Sequence, residues 1–301
     1  MLELIDLHRR FGETVALDGV TFSVPEGAVV GFVGRNGAGK TTAMRIALGV
    51  LAADAGEVRW RGAPVDLAVR RRFGYMPEER GLYPRMRVLE QLVYLGRLHG
   101  MTPAHAEERA TALIDRLQVV GDPGSRVESL SLGNQQRIQL AAALVHEPDV
   151  LVLDEPFSGL DPTGVDVLAQ VLLDEARTRG VPVVFSSHQL ELVERLCDAV
   201  VLIDRGRVVA DGPIAALRAS RARRLLRVEV RGADADWYEA LPGVRLDAAV
   251  DGAVVLELDD EADPQRVLDL ARAQGDVRAF TPVEPTLAQL FREVVDEGVT
   301  A

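Results

Sequence analysis

Short, unbroken apolar runs alternate with longer amphipathic stretches over the first two-thirds of the chain. Ala28-Val29-Val30-Gly31-Phe32-Val33, Val150-Leu151-Val152-Leu153, Val181-Pro182-Val183-Val184-Phe185 and Ala199-Val200-Val201-Leu202-Ile203 show no polar face. Runs of that length and kind read as strands buried on both sides of a mostly parallel sheet. Leu2 to Leu7, Thr21 to Val24 and Glu57 to Trp60 read as further strands. Thr41 to Val50 has helical character, with Met44, Ile46, Ala47 and Leu48. From about Val88 the apolar period lengthens: Leu89, Leu92, Val93 and Leu95 mark one helix, and Ala110, Leu113, Ile114 and Leu117 the next. A third helix is expected from about Gly133 to His146, and a fourth from Val165 to Arg179. Ala199 to Asp204 and Arg207 to Ala210 form a hairpin pattern across Arg205-Gly206. The pattern predicts an α/β fold in which a helical insert, about residues 83–146, splits the sheet.

The last quarter of the chain has its own rhythm. Leu225 to Val230 reads as a strand and Asp234 to Leu241 as a short helix. Val244 to Val250 and Ala253 to Leu258 are strands flanking Asp251-Gly252, a strong hairpin turn. A helix from Asp263 to Gln274, a strand from Val277 to Thr281 and a helix from Pro285 to Val295 complete it. This β-α-β-β-α-β order predicts a small α+β, ferredoxin-like domain. The apolar face of its last helix, Leu287, Leu290, Phe291 and Val294, is expected to pack on the domain's own sheet. Charge changes at the same place. The chain carries 34 basic and 46 acidic residues, and 17 of the acids against 7 of the bases fall in residues 225–301. The expected division is therefore residues 1–217, a basic linker 218–224 and an acidic accessory domain 225–301. Arg218, Arg221, Arg223 and Arg224 in that linker read either as a solvated helix end or as a contact for acidic lipid headgroups or an acidic partner loop.

Bulk properties exclude several classes. The apolar content of 48% suffices for a packed core, yet no apolar run is long enough to span a bilayer. The N-terminal Met1-Leu2-Glu3-Leu4-Ile5-Asp6 lacks the pattern of a signal peptide. The one cysteine, Cys197, excludes an intramolecular disulfide and reads as a small buried residue. A cytoplasmic protein is expected. The net charge of −12 argues against nucleic acid as the main partner, because a phosphate backbone needs a basic footprint.

Candidate chemistry centres on the chain's only lysine, Lys40, in Gly34-Arg35-Asn36-Gly37-Ala38-Gly39-Lys40-Thr41-Thr42. G-x-x-x-x-G-K-T between a buried strand and a helix is a phosphate loop. Its glycines let backbone N–H groups close on a phosphate, and the compact ammonium can reach the outer phosphates. The Thr41 hydroxyl suits a Mg²⁺ ligand. The strand Val150 to Leu153 ends in two carboxylates: Asp154, placed for the same metal, and Glu155, placed to polarise an attacking water.

Leu130-Ser131-Leu132-Gly133-Asn134-Gln135-Gln136-Arg137 resembles the signature motif of ATP-binding-cassette (ABC) ATPases, usually L-S-G-G-Q. Ser158-Gly159-Leu160-Asp161 is similar to their D-loop and Ser187-His188 to their switch histidine; Phe11 falls where the family places an adenine-stacking aromatic residue. The resemblance covers residues 1 to about 217. It implies a P-loop NTPase fold with a RecA-like core, an antiparallel β subdomain and a helical subdomain. It also implies ATP and Mg²⁺ as cofactors, with Lys40, Glu155, Asp161 and His188 catalytic and Thr41, Asp154 and Glu78 at the metal. The nucleotide would be bound by Phe11, the loop residues Gly34, Asn36, Gly37, Ala38, Gly39, Lys40, Thr41 and Thr42, and by Ser131, Gly133 and Gln135. Two cassettes are expected to close head to tail, so that Ser131 and Gly133 of one copy meet the γ-phosphate held by Lys40 of the other.

Two departures stand out. Tyr75-Met76-Pro77-Glu78-Glu79-Arg80 carries Glu78 where the family normally has glutamine, which adds charge beside Asp154 and Glu155. The signature carries Leu132 and Asn134 where glycine and glutamine are usual, which leaves phosphate contact intact but puts its transmission to the helical insert in question. With the acidic tail domain, these features resemble bacterial export ATPases of the sodium-extrusion and daunorubicin-resistance type. The resemblance implies an ATPase peripheral on the inner face of the cell membrane, driving a separate permease. The alternative is an ABC ATPase acting on ribosomes or DNA; such proteins usually have two cassettes in one chain, a long coiled coil or basic arms.

Overall fold

The computed structural model describes residues 1–79, 81–220, 223–234, 236–250, 252–283 and 286–291. Arg80, Arg221, Asp251, Pro285, Val294 and Val295, named above, lie outside the described residues. The chain divides into two compact units, Met1–Ile214 and Ala215–Ala301.

The first unit begins with β1 (Leu2–Phe11), β2 (Thr14–Val24), β3 (Val29–Val33), α1 (Lys40–Ala47), β4 (Ala55–Trp60), β5 (Ala63–Pro64), α2 (Leu67–Arg70) and β6 (Phe73–Met76). The helical insert follows as α3 (Val88–Leu98), α4 (Pro103–Arg116) and α5 (Leu132–Leu144). The chain then returns through β7 (Val150–Leu153), α6 (Pro162–Arg179), β8 (Val183–Ser187), α7 (Leu190–Leu196), β9 (Ala199–Asp204) and β10 (Arg207–Pro213). Six strands form one sheet in the order β10-β9-β3-β8-β7-β6. All neighbours in it are parallel except the edge hairpin β9–β10. The unbroken apolar runs fall on its central strands, and every residue of β3, β7 and β8 is buried. A parallel sheet covered on both faces requires this.

A second, antiparallel sheet runs β2-β1-β4-β5. Its alternating residues Leu2, Leu4, Val20, Phe22, Val24 and Val58 join Val30, Phe32, Met44, Ile46, Val152 and Val201 in one core, so α1 lies in the same apolar core as both sheets. Strand β2 starts at Thr14, earlier than its apolar pattern suggests, because shifts in register against β1 carry its weakly alternating first half. Helix starts follow local chemistry. Thr102 caps α4 through a hydrogen bond from His105 N–H, with Pro103 in the first turn, and Asp161 caps α6 through one from Gly164 N–H.

The second unit holds most of α8 (Ile214–Ser220), then β11 (Arg224–Arg231), β12 (Val244–Val250), β13 (Ala253–Leu258), α9 (Pro264–Gln274) and β14 (Asp276–Val283). Its antiparallel sheet has the order β12-β13-β11-β14, the ferredoxin-like arrangement. The expected first helix is only a 3₁₀ turn, Trp237–Ala240. It buries two adjacent aromatic rings, Trp237 and Tyr238, which a tight turn accommodates. Leu287 and Leu290 are also buried.

The expected basic linker differs from what is observed. Arg218 lies in α8, and Arg223 and Arg224 belong with the sheet. Arg223 pairs with Asp247 at 2.8 Å and Glu257 at 2.6 Å, and Arg224 donates to the Asp259 carbonyl. The acidic sheet claims these arginines: the Arg223 guanidinium holds the Glu257 carboxyl below its ordinary range.

Candidate nucleotide-binding site

The loop between β3 and α1 is shaped by steric necessity. Gly39 stands at the N-cap of α1 with φ +110°, and a Cβ there would lie 2.6 Å from the Ala16 carbonyl oxygen. A Cβ on Gly34 would lie 2.3 Å from the Ile203 carbonyl oxygen. Both positions therefore exclude a side chain, and the loop stays pressed against the sheet end. Above it opens a cleft of about 390 Å³, lined by Thr14, Val15, Ala16, Asn36, Gly37, Gly39, Lys40, Thr41, Thr42, Glu78, Asp154 and Glu155.

The N-terminus of α1 faces this cleft with its unpaired N–H groups and positive dipole end, an arrangement suited to an anion. The Lys40 ammonium donates to the carbonyls of Gly34 at 2.7 Å and Arg35 at 3.2 Å. Phosphate oxygens would compete for those donors on a flexible stem. Thr41 Oγ1 donates to Asp154 Oδ2 at 2.8 Å, which joins the start of α1 to the end of β7.

Beside this pair, Asp154 Oδ1 accepts from Ser186 Oγ at 2.5 Å, and Ser186 Oγ in turn accepts from the Glu155 N–H at 2.8 Å. The end of strand β8 thus fixes both acids. Glu155 has φ +50°, a conformation few non-glycine residues adopt, and it persists where surrounding bonds over-determine it. Its carboxylate is buried, and Oε2 lies 3.0 Å from His188 Nδ1. Burial pushes the Glu155 carboxyl above the usual carboxylate range, and the His188 imidazole only partly offsets this. A carboxylate moved toward neutrality and held by a half-exposed imidazole can accept a proton from water.

Of the residues singled out in the sequence, Asn36, Gly37, Gly39, Lys40, Thr41, Thr42, Glu78, Asp154 and Glu155 line the cleft, and His188 joins them through Glu155. Gly34 and the buried Ala38 support the loop from behind. Phe11 is not among the lining residues; it ends β1 half exposed, with the Arg9 guanidinium 4.9 Å from its ring centre.

Ser131, Gly133, Gln135 and Asp161 also lie off the cleft lining. Ser131 caps α5 by accepting from Asn134 N–H, and Gln135 Nε2 donates to the Leu130 carbonyl. Asn134 has its own role: its amide both accepts from Val120 N–H and donates to Val120 C=O, each at 3.1 Å. That pairing ties the start of α5 to the segment after α4. Ser186, Gln136 and Gln139 were not singled out from the sequence. Ser186 lies in an apolar strand beside the two acids, and that position was its one signal.

The comparisons with known proteins agree with this geometry. The family model of ABC transporters matches residues 17–158, and that of the C-terminal domain of DrrA1-3-like ATP-binding proteins matches residues 212–295. The ABC transporter ATP-binding protein YhaQ of Bacillus subtilis is 36% identical over 98% of both chains. The Nod factor export ATP-binding protein I of Paraburkholderia xenovorans is 37% identical over 73% of each chain. A solved ATP-binding subunit of an ABC transporter superposes with a TM-score of 0.68 at 31% identity, over 73% of this chain and 93% of that one. With its phosphate loop, its paired acids at a strand end and its helical insert, the chain belongs to the ATP-binding proteins of ABC transporters, the ATP-hydrolysing subunits of those machines.

Proposed function

We propose that this subunit hydrolyses MgATP between two head-to-tail copies and uses the cycle to drive a separate membrane permease, in the direction of export. The observation that carries the reading is the convergence of Lys40, Thr41, Asp154, Glu155 and His188 at one cleft. In it Lys40 and the loop amides hold the phosphates, and Asn36, Gly37, Gly39 and Thr42 shape the bed. Thr41 Oγ1 and Asp154 Oδ2 stand side by side as two hard oxygen ligands, the sparse protein set that suits Mg²⁺ shared with phosphates. Glu78, on the same wall, is a further candidate for that shell. When bound, the ion neutralises charge on the phosphate oxygens. Glu155 accepts the proton of the attacking water, and His188 holds the carboxylate in place and stabilises the γ-phosphate.

Ser131 and Gly133 are off the cleft of their own subunit yet sit at a helix N-terminus able to bind phosphate. This supports a site completed by the second copy, with Gln135 bracing the signature turn and Asp161 at the joint between copies. Hydrolysis removes the γ-phosphate bridge and reopens the pair. Among the described residues no helix is long and apolar enough to cross a membrane, so a permease on another chain fits. The subunit would then work in the cytoplasm, peripheral on the inner face of the membrane. The direction rests on the export named for the Nod factor relative.

Purification in detergent tests this. A polytopic membrane protein should co-purify with the chain and, reconstituted in vesicles, alter its rate of ATP turnover. Turnover that no co-purified membrane protein changes would count against a transporter motor.

A further inference from the structure

We infer that Gln139 is a positioning residue for the nucleotide site: its side-chain amide on α5 pins the loop that presents Glu78 to the cleft. The inference rests on the proposed placement of Glu78 in the working site.

Gln139 lies about two turns along α5 from the capping Ser131 and is 3% exposed. Its Nε2 donates to two carbonyls, Pro77 O at 2.5 Å and Glu79 O at 3.2 Å. Those residues flank Glu78 on either side, so one amide grips the loop at two points around the residue that lines the cleft. Carbonyls only accept, which fixes the amide with Nε2 toward the loop. Its Oε1 is then left buried without a hydrogen-bond partner among the described residues. A lone buried acceptor is destabilising, and an apolar side chain of similar size would fill the space without it. Packing therefore does not account for an amide here, whereas a two-point hold on the Glu78 loop does.

The other end of the loop is held too. Met76 O accepts from Asp154 N–H at 2.7 Å, anchoring the loop's start beside the metal-facing acid. One turn back on the same face of α5, Gln136 Nε2 donates to Pro156 O at 2.9 Å, just past Glu155. Two amides on one helix thus hold the two loops that carry Glu78 and Glu155. The separation of these acids is set through the helix whose N-terminus bears Ser131 and Gly133.

Gln139→Met keeps length and volume and removes the donor. In the metal-free, nucleotide-free protein, cleavage after Glu78 or Glu79 by a glutamyl endopeptidase, read by mass spectrometry, should rise about tenfold with the melting temperature little changed. The Mg²⁺ concentration for half-maximal ATP turnover should also shift about tenfold, the scale for losing a partner that orients a metal-site group. Glu78→Gln should shift it as well, and the double variant should lie within about twofold of Glu78→Gln, because Gln139 acts through Glu78. If Glu78→Gln shifts the Mg²⁺ dependence but Gln139→Met does not, or if the two shifts add, the inference is overturned while the placement of Glu78 stands. If Glu78→Gln shifts nothing, the placement of Glu78 fails and takes the inference with it. Should Gln139→Met fail to fold, Gln139→Leu, which likewise has no donor, replaces it in every arm.

Discussion

Replacing Glu155 by glutamine separates a catalytic role from a structural one, because the two properties should move in opposite directions. The amide has the volume of the carboxylate, accepts the same φ of +50°, and keeps the backbone N–H bond to Ser186 Oγ. It can still meet His188 across the 3.0 Å contact, but it cannot take a proton from water. General base catalysis is worth about 10²–10⁴ in rate, or roughly 3–5 kcal/mol of barrier. Turnover by Glu155→Gln should fall by at least about a hundredfold in a coupled phosphate-release assay, with ATP affinity retained. Stability should not fall. Burial raises the folded-state pKa of Glu155 above its unfolded value, so near pH 7 the ionised carboxylate is held against a desolvation cost, and a neutral amide relieves it. The melting temperature of the variant should match or exceed that of the parent. Near-normal turnover would remove Glu155 from the role of base, and a loss of turnover accompanied by a lower melting temperature and weaker ATP binding would make it a structural residue instead.

Lys40→Ala should lower MgATP affinity by at least about tenfold in isothermal titration, since no other lysine exists and the α1 N-terminus loses its neighbouring charge; unchanged affinity would refute the loop assignment. His146 stacks on His99 at 3.7 Å, and burial, aided by that neighbour, pushes it down to about 4. Its folded pKa lies below the unfolded one, so stability is full above about pH 6.5 and is lost as pH falls toward 4. The loss should approach about 3 kcal/mol in urea titrations and should flatten in His146→Gln; identical pH profiles for the two proteins would exclude His146 as the source. Deleting residues 225–301 should leave MgATP binding by the first unit intact, as read by titration calorimetry; a truncated chain that folds by circular dichroism but no longer binds would put those residues in the site.

The parts of this molecule legible in its sequence are those where chemistry leaves few options. Lys40 and its glycines stand out because a phosphate bed needs backbone N–H groups and a close cation. Asp154 and Glu155 stand out because two acids end an otherwise apolar strand. The buried strands β3, β7 and β8 were readable because a doubly covered sheet demands unbroken apolar runs. Less was readable where a residue's partner is distant in sequence. Gln136 and Gln139 look like an ordinary polar face of a helix until the fold brings the carbonyls of Pro156, Pro77 and Glu79 against them. Asn134 looked like a weakened signature, yet it pairs with both backbone groups of Val120. Arg223 and Arg224 looked like a linker because the acids that recruit them, Asp247 and Glu257, and the Asp259 carbonyl come later in the chain. The short helix expected near Trp237 became a 3₁₀ turn because burying two neighbouring aromatic rings took precedence over helical period.

The central claim is that one copy supplies the phosphate loop and the other supplies Ser131 and Gly133. Sedimentation velocity on Glu155→Gln tests it directly. With MgATP the slow-turnover protein should sediment as a dimer of the 32.7 kDa chain, and with MgADP as a monomer. Adding Ser131→Arg, which places a bulky side chain at the α5 N-terminus, should leave ATP binding in place and return the protein to a monomer. A monomer at saturating MgATP, or a dimer that survives Ser131→Arg unchanged, would contradict the account.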